Sequence, residues 1–310
     1  MEYLDSVAQI VSENKSIQKG GLPEEFADKE LVDQVVDEFI KISKMFGVEL
    51  KTSHGINHSP PNPYHTPEHT EEVADDAFKI VTRLSMYAPA TLLDMNESDY
   101  IEMANTRDGL NKITQAIKIL AAYTDVLAKG HDIVQDGIVL KGILRRKRGI
   151  NEIGNEFKSA ERIANEIEDA FPEGTKERKL LDFLNINRNR IHRDINATFP
   201  EVQLDAQIPN TDILATKIIQ PEFFNASTIG RVLAMSDLFS PYCKDLETAL
   251  KHSDAEFWEI NQWAIELSKR ILNSKTVEEF SQNVSNEEKF KLIDAIAGWT
   301  AGQRGFKLCG

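Results

Sequence analysis

The amino-acid sequence predicts an all-α, multi-helix bundle. Apolar residues recur at spacings of three and four, helix-start patterns recur along the chain, and strict strand-like alternation does not recur. The 310 residues, 41% of them hydrophobic, suffice for one large core or two modest ones. No internal repeat is present, and Pro-rich breaks occur only at 59–63 and, more weakly, near 199–221. We therefore expect a single domain over residues 1–310, with residues 1–46 as an N-terminal helical extension.

The charge of the chain restricts its partners. A net charge of -14 argues against nucleic-acid binding, which depends on Lys and Arg side chains that neutralise phosphates. Residues 141–148, KGILRRKR, are a basic exception that forms either a solvated loop or an anion-attracting rim. No run approaches the roughly 18 apolar residues of a membrane span, and the two cysteines are not spaced as a thiolate metal site. We expect a cytoplasmic protein with a small phosphorylated substrate and no nucleic-acid or membrane partner, in an oligomeric state that stays open.

The first helix of functional interest is predicted to begin at residues 66–68, Thr-Pro-Glu. Thr is a good N-cap, Pro suits the first helical position, and an acidic group suits the positive end of the helix dipole. His69 then lies in the first turn, and His65 lies just before the helix. His69 belongs to the buried stripe, because apolar residues follow it at helical spacing: Val73, Ala77, Ile80 and Leu84.

A second apolar helix is predicted from about residue 108 to residue 129. It ends at Gly130, a residue common just past helix C-termini. His131 and Asp132 therefore lie at the C-terminal end of the helix, next to the core.

Three further predicted helices carry polar residues of interest. One, near residues 155–171, begins with Glu156. Another places Asp237 in line with an apolar stripe, where a carboxylate needs a partner. The last helix of the chain includes Gln303 and Phe306 in its buried stripe. The stripe that contains Asp237 includes Ile229 and Leu233. The stripe that contains Gln303 and Phe306 includes Leu292, Ile296 and Trp299.

Two imidazoles and two carboxylates at these positions form a candidate metal site. The set comprises His69, His131, Asp132 and Asp237. Mixed His and Asp ligation suits Zn, Mn, Fe or Mg, whereas Cu(I) favours sulfur and Ca favours more oxygens. A carboxylate has a second oxygen that can bridge another ion, so two divalent ions could share Asp132.

Four short sequence elements resemble one known enzyme family. They are NPYHTPEH at 62–69, AKGHDI at 128–133, NEFKSA at 155–160 and AMSDLFSP at 234–241. Their order and separations resemble the HD superfamily of metal-dependent phosphohydrolases, in particular cyclic-nucleotide phosphodiesterases and a bacterial group of HD phosphohydrolases. The resemblance covers residues 60–306 in outline and implies an all-α bundle of the HD/phosphodiesterase type, with the metal site at helix ends in a central pocket.

The resemblance also implies roles for individual residues. His69, His131, Asp132 and Asp237 match the family's first metal site. Asp132 would bridge to a second ion that is held mainly through waters. His65 matches the proton donor to the leaving alkoxide.

Further roles follow from the same resemblance. Glu156 matches an acidic residue that organises metal-bound water, and Glu161 is a close competitor for that position. The segment GQRGF at 302–306 resembles the part of the phosphodiesterases in which a glutamine contacts the purine edge and a phenylalanine clamps the ring. Gln303 and Phe306 are therefore expected to bind substrate, together with Tyr64 of the first element.

Some positions leave alternatives open. The phosphodiesterases commonly have a second histidine four residues after the first in their H-D-x-x-H pattern, and this chain has Gln135 there. Asp212 is a rival to Asp237, which is preferred because it lies in the more specific context SDLFSP. The remaining histidines match no motif and are expected to be structural or exposed: His54, His58, His192 and His252.

These observations predict a metal-dependent enzyme that hydrolyses a phosphoester, most specifically a 3′,5′-cyclic nucleotide phosphodiesterase. Hydrolysis of a nucleotide mono- or triphosphate is the alternative, since it needs the metal residues but not Gln303. A third hypothesis is a non-catalytic HD scaffold that senses a nucleotide.

Overall fold

A computed structural model describes residues 21–53, 67–134, 155–198, 201–207, 214–219 and 225–238. After a short 3₁₀ helix, Glu24–Ala27, the described helices are α1 Lys29–Ser53, α2 Pro67–Tyr87, α3 Pro89–Leu92, α4 Glu97–Ala104, α5 Arg107–Gly130, α6 Asn155–Ala170, α7 Lys176–Phe183, α8 Arg188–Asn196 and α9 Thr228–Leu238. Within these ranges, no helix has the length and apolar character needed to cross a membrane.

Helix α5 lies at the centre of the described core. It packs against α1, α2, α6 and α9. Thr106 caps its N-terminus by accepting a hydrogen bond from the Gly109 amide at 2.9 Å. The fully buried Tyr123 of α5 packs against Phe39 of α1, with 6.0 Å between the ring centroids. Because α5 is fixed on several sides, the residues that follow it, beginning with His131, are held inside the core.

The helices that carry the predicted site begin close to the positions expected from the sequence. Helix α2 begins at Pro67 and buries His69 together with the predicted apolar stripe. Helix α6 begins at Asn155, and α9 includes Asp237 near its end. The predicted helical class is confirmed for these elements.

Two described elements are not helical. Strands β1 Glu201–Gln207 and β2 Leu214–Ile219 form an antiparallel hairpin, in which Glu201 lies opposite Ile219. The pattern of the sequence predicts only a break near residues 199–221. A strand signal is present in the sequence, because apolar and polar residues alternate across β1 in EVQLDAQ. The all-α prediction is therefore correct for every described element except this hairpin.

Gly130 allows a close approach between α5 and α6. A Cβ atom at this position would lie 2.7 Å from Cδ1 and Cγ1 of Ile163 and 3.1 Å from Cε2 of Phe46. Gly130 is the last residue of the helix, and His131 after it keeps a right-handed helical conformation with φ of -60°. The glycine is therefore required for packing next to His131 and Asp132, and not for ending the helix, as its position in the sequence suggested.

We expect Gly130→Ala to destabilise the protein by about 1–3 kcal/mol, the usual cost of overfilling a packed core. Urea unfolding of the variant measures this loss. Gly47→Ala on α1 is the matched control, because a Cβ there would meet no atom closer than 3.9 Å. The control should gain up to about 1 kcal/mol, since Ala favours helix more than Gly does. Equal stability of the two variants would contradict the packing explanation.

Candidate metal centre

The four predicted metal ligands lie together in the structure. His69 is in the first turn of α2, His131 and Asp132 directly follow α5, and Asp237 is near the end of α9. Asp237 Oδ1 lies 3.0 Å from His69 Nε2 and 3.5 Å from His131 Nε2. Asp132 Oδ2 lies 3.5 Å and 3.2 Å from the same two nitrogens. We call these four residues the His–Asp cluster.

The cluster is largely removed from solvent. His69, His131 and Asp132 are buried, with 4%, 2% and 7% of their surface exposed, whereas the Asp237 side chain keeps 21%. Two ionised carboxylates so close together in a buried position need compensating positive charge. That charge can come from protons on the imidazoles or from a cation between the four side chains.

The tautomer of His131 favours a cation. Its Nδ1 lies 2.6 Å from the carbonyl oxygen of Ala128, so this nitrogen carries the proton and donates it to the carbonyl. Its Nε2 is buried and has no hydrogen-bond partner in the described part of the chain, although it is directed at two carboxylates. Histidines that bind metals commonly donate the other ring N–H to a backbone carbonyl in this way. His69, His131 and Asp132 could therefore hold a metal ion, because one ligand atom from each lies within 4.8 Å of the others.

The electrostatics of the cluster agree with this arrangement. Burial by itself lowers the pKa of His131, but the carboxylates of Asp132 and Asp237 together outweigh burial and raise the pKa well above the ordinary histidine value. Burial raises the pKa of Asp237, yet the adjacent imidazoles of His131 and His69 lower the pKa to about 2. The site thus has a negative field that attracts protons or cations.

Helix α6 is attached to the cluster at its N-terminal end. The Ser159 hydroxyl oxygen accepts a hydrogen bond from the Val134 amide at 3.2 Å, two residues after Asp132. Glu156 lies one turn before Ser159 and is partly buried. The preferred candidate for the acidic residue therefore lies at the end of α6 that is tied to the cluster.

Glu161, the competing acidic residue, is engaged elsewhere. Its carboxylate oxygens lie 2.6 Å from His192 Nε2 and 2.6 Å from an Arg188 guanidinium nitrogen, both on α8. Burial raises the pKa of Glu161, but hydrogen bonds from His192 and Arg188 outweigh it and lower the pKa. His192, expected to be structural or exposed, thus joins α8 to α6.

We expect Glu161→Gln to leave metal binding unchanged. The variant should lower the free energy of unfolding by less than about 1 kcal/mol at pH 7, because the Glu161–Arg188 ion pair is partly exposed. A depressed folded-state pKa contributes stability above the unfolded-state pKa, and that contribution is lost as pH falls through the folded value. The stability difference from wild type should therefore disappear at the acidic end of a pH series of urea unfolding curves. A loss of metal affinity in this variant would instead favour Glu161 over Glu156.

Helix α8 carries a buried ionic network that the sequence did not predict. Arg190 and Asp194 are 3% and 0% exposed, and Arg190 Nε lies 3.3 Å from Asp194 Oδ2. The Tyr123 hydroxyl lies 3.4 Å from the same oxygen, and Ser227 donates to Asp194 through its amide at 2.9 Å. An Arg and an Asp four residues apart on a helix usually form a surface pair, so their spacing gave no indication of burial.

Several predicted residues lie outside the described residues. These are the catalytic candidate His65, the substrate-binding candidates Tyr64, Gln303 and Phe306, the basic stretch 141–148, and the alternatives Gln135 and Asp212. Their roles stay predictions.

Comparison of the chain with protein-family models, with curated proteins and with solved structures finds no match in any of the three. The HD-superfamily resemblance therefore stays a prediction, based on the four sequence elements.

Proposed function

We propose that this protein is a metal-dependent phosphohydrolase of the HD type that hydrolyses a phosphoester, most specifically a 3′,5′-cyclic nucleotide. The observation that carries the proposal is His131 Nε2, a buried nitrogen that makes no hydrogen bond within the described residues and faces the carboxylates of Asp132 and Asp237. A divalent ion satisfies the nitrogen and both carboxylates at once, whereas a proton on Nε2 serves one oxygen at a time.

In this proposal His69, His131, Asp132 and Asp237 hold one ion in a central pocket, and Asp132 reaches a second ion. The ions would be Zn, Mg, Mn or Fe, since the same ligand set accepts each of them. When bound, such ions lower the pKa of a water and neutralise charge that develops on the phosphoryl oxygens. The two histidines contribute no charge in their neutral form, so the carboxylates supply the negative charge that favours a divalent cation.

Two residues of the chain would handle protons and water. His65 lies four positions before His69, and an imidazole can donate a proton to the departing oxygen near neutral pH. Glu156, at the end of α6 that is tied to Val134, would orient the attacking water. Gln303 would contact the purine edge, and Phe306 and Tyr64 would pack on the substrate. A net charge of -14 favours a small substrate over a polynucleotide.

The experiment is metal analysis together with turnover on a panel of cyclic and linear nucleotides, for wild type, Asp132→Ala and His65→Ala. We expect the wild type to bind metal and hydrolyse a cyclic nucleotide. Asp132→Ala should lose metal, and His65→Ala should keep metal but lose about 10²–10⁴-fold in rate, the usual contribution of a general acid. Metal-loaded wild type that cleaves no cyclic nucleotide would contradict the specific assignment.

Hydrolysis of a nucleotide mono- or triphosphate is the second candidate, and Gln135 favours it. This residue stands where the cyclic-nucleotide enzymes commonly have a histidine. Gln303→Ala separates the two candidates, since it should weaken turnover of a cyclic purine nucleotide but leave turnover of a linear one unchanged. Metal binding without turnover of any nucleotide would leave another HD hydrolase or a sensing scaffold.

A further inference from the structure

Helix α9 connects two distant buried sites. Asp237, near its C-terminal end, belongs to the His–Asp cluster. Ser227, ten residues earlier, is the N-cap, because its hydroxyl accepts a hydrogen bond from the Gly230 amide at 3.2 Å. At about 1.5 Å per residue, roughly 15 Å of helix separates the two ends.

A carboxylate from a neighbouring helix fixes the N-terminal end of α9. Asp194 Oδ1 accepts a hydrogen bond from the Ser227 amide at 2.9 Å, and Oδ2 accepts one from the Ser227 hydroxyl at 2.8 Å. Arg190 donates to the Ser227 hydroxyl oxygen at 3.0 Å. A negative charge at a helix N-terminus also interacts favourably with the helix dipole. We call Asp194, Arg190 and Ser227 the α9 anchor.

The anchor also fixes the distance between α8 and α9. A Cβ at Gly230 would lie 2.5 Å from Asp194 Oδ1 and 2.7 Å from Asp194 Cα. The two helices therefore meet at backbone contact distance, one turn after the N-cap. Thr228, fully buried, adds a contact on the other side, where its hydroxyl oxygen lies 3.0 Å from the carbonyl oxygen of Thr91.

We infer that Asp194 is a positioning residue for the metal ligand Asp237, because it sets the position of α9 along and around its own axis. Asp237 is the cluster member contributed by α9, whereas His131 and Asp132 are held by α5 and His69 by α2. A small shift of α9 would therefore move Asp237 relative to the other three. The inference rests on the proposed metal site.

The test is a double-mutant cycle on metal affinity, with Mn²⁺ titrated calorimetrically into the metal-free full-length protein. The variants are Asp194→Asn, Asp237→Asn and the double variant. Asp194→Asn keeps the shape of the side chain but loses the charge. It should weaken Mn²⁺ binding about 10-fold in the wild-type background, the loss expected when a residue that supports a metal ligand is mutated. In the Asp237→Asn background it should have less than about a twofold effect, because the group it positions is no longer a carboxylate ligand.

Two further variants keep the test decisive. Ser227→Ala removes the hydroxyl bond to Asp194 and is the milder replacement if Asp194→Asn fails to fold. Leu180→Ala, a buried truncation on α7, is the control for lowered stability alone and should leave Mn²⁺ affinity unchanged. Unchanged affinity in the anchor variants, or an equal loss in both backgrounds, would overturn the inference. A wild type that binds no Mn²⁺, Zn²⁺, Mg²⁺ or Fe²⁺ would instead overturn the proposed metal site.

Discussion

Asp132→Ala is expected to lower metal affinity by more than about 100-fold. Mutation of a residue that only supports a metal ligand already lowers the affinity about 10–100-fold. Asp132 lies within 3.5 Å of the Nε2 atoms of both His69 and His131, so its removal leaves the cluster with a single carboxylate. Metal should raise the melting temperature of wild type and not that of the variant, because a ligand stabilises the folded state only when it binds. Calorimetric titration and thermal unfolding with and without metal measure both effects.

Asp125→Ala is the matched control for this prediction. Asp125 lies on α5, two turns before Asp132, and its carboxylate contacts Ser43 and Lys129 away from the cluster. The control should bind metal as wild type does. Equal metal affinity in wild type and Asp132→Ala would contradict the assignment of Asp132 as a ligand.

Arg190→Met is expected to destabilise the protein by about 3–5 kcal/mol, because it leaves the buried carboxylate of Asp194 without its cation. The Arg190 side chain is 4% exposed and also donates to the Leu184 carbonyl at 2.6 Å. Arg188→Met is the control on the same helix, since its ion pairs with Glu161 and Glu168 are partly exposed. Arg188→Met should lower the free energy of unfolding by less than about 1 kcal/mol.

The Arg190→Met effect should also depend on pH. Burial raises the pKa of Asp194, and the charge of Arg190 opposes that rise, so the pKa should increase further in the variant. A group with a raised folded-state pKa contributes stability below its unfolded-state pKa of about 4, and that contribution is lost as pH rises through the folded value. The deficit relative to wild type should therefore grow from pH 4 to pH 7 in urea unfolding. A deficit that shrinks over this range would contradict the buried-charge explanation.

The cluster residues could be predicted from sequence because each lies in a local pattern. The N-cap before Pro67 and the apolar stripe placed His69 on the buried face of α2, and the end of an apolar helix placed His131 and Asp132 beside the core. Only the resemblance indicated that these residues would meet Asp237. The structure adds the tautomer of His131, which depends on a carbonyl three residues earlier and on two carboxylates.

The α9 anchor could not be predicted in the same way. Asp194 and Ser227 of the anchor, and Tyr123, which contacts Asp194, are far apart in the chain, and each is unremarkable in its own segment. Their interaction exists only because α8 lies against α9 and α5 in the folded core. Gly130 shows the same limit, since its position suggested a helix cap, whereas contact with Ile163 of α6 explains it.

The most direct test of the metal centre is to locate an ion by anomalous X-ray diffraction from crystals soaked in Zn²⁺. The proposal predicts an anomalous peak about 2.0–2.2 Å from Nε2 of His69 and His131 and from carboxylate oxygens of Asp132 and Asp237. Crystals of Asp132→Ala should lack that peak under the same conditions. Wild-type crystals without a peak among these four side chains, or with Zn²⁺ bound only elsewhere, would contradict the central claim.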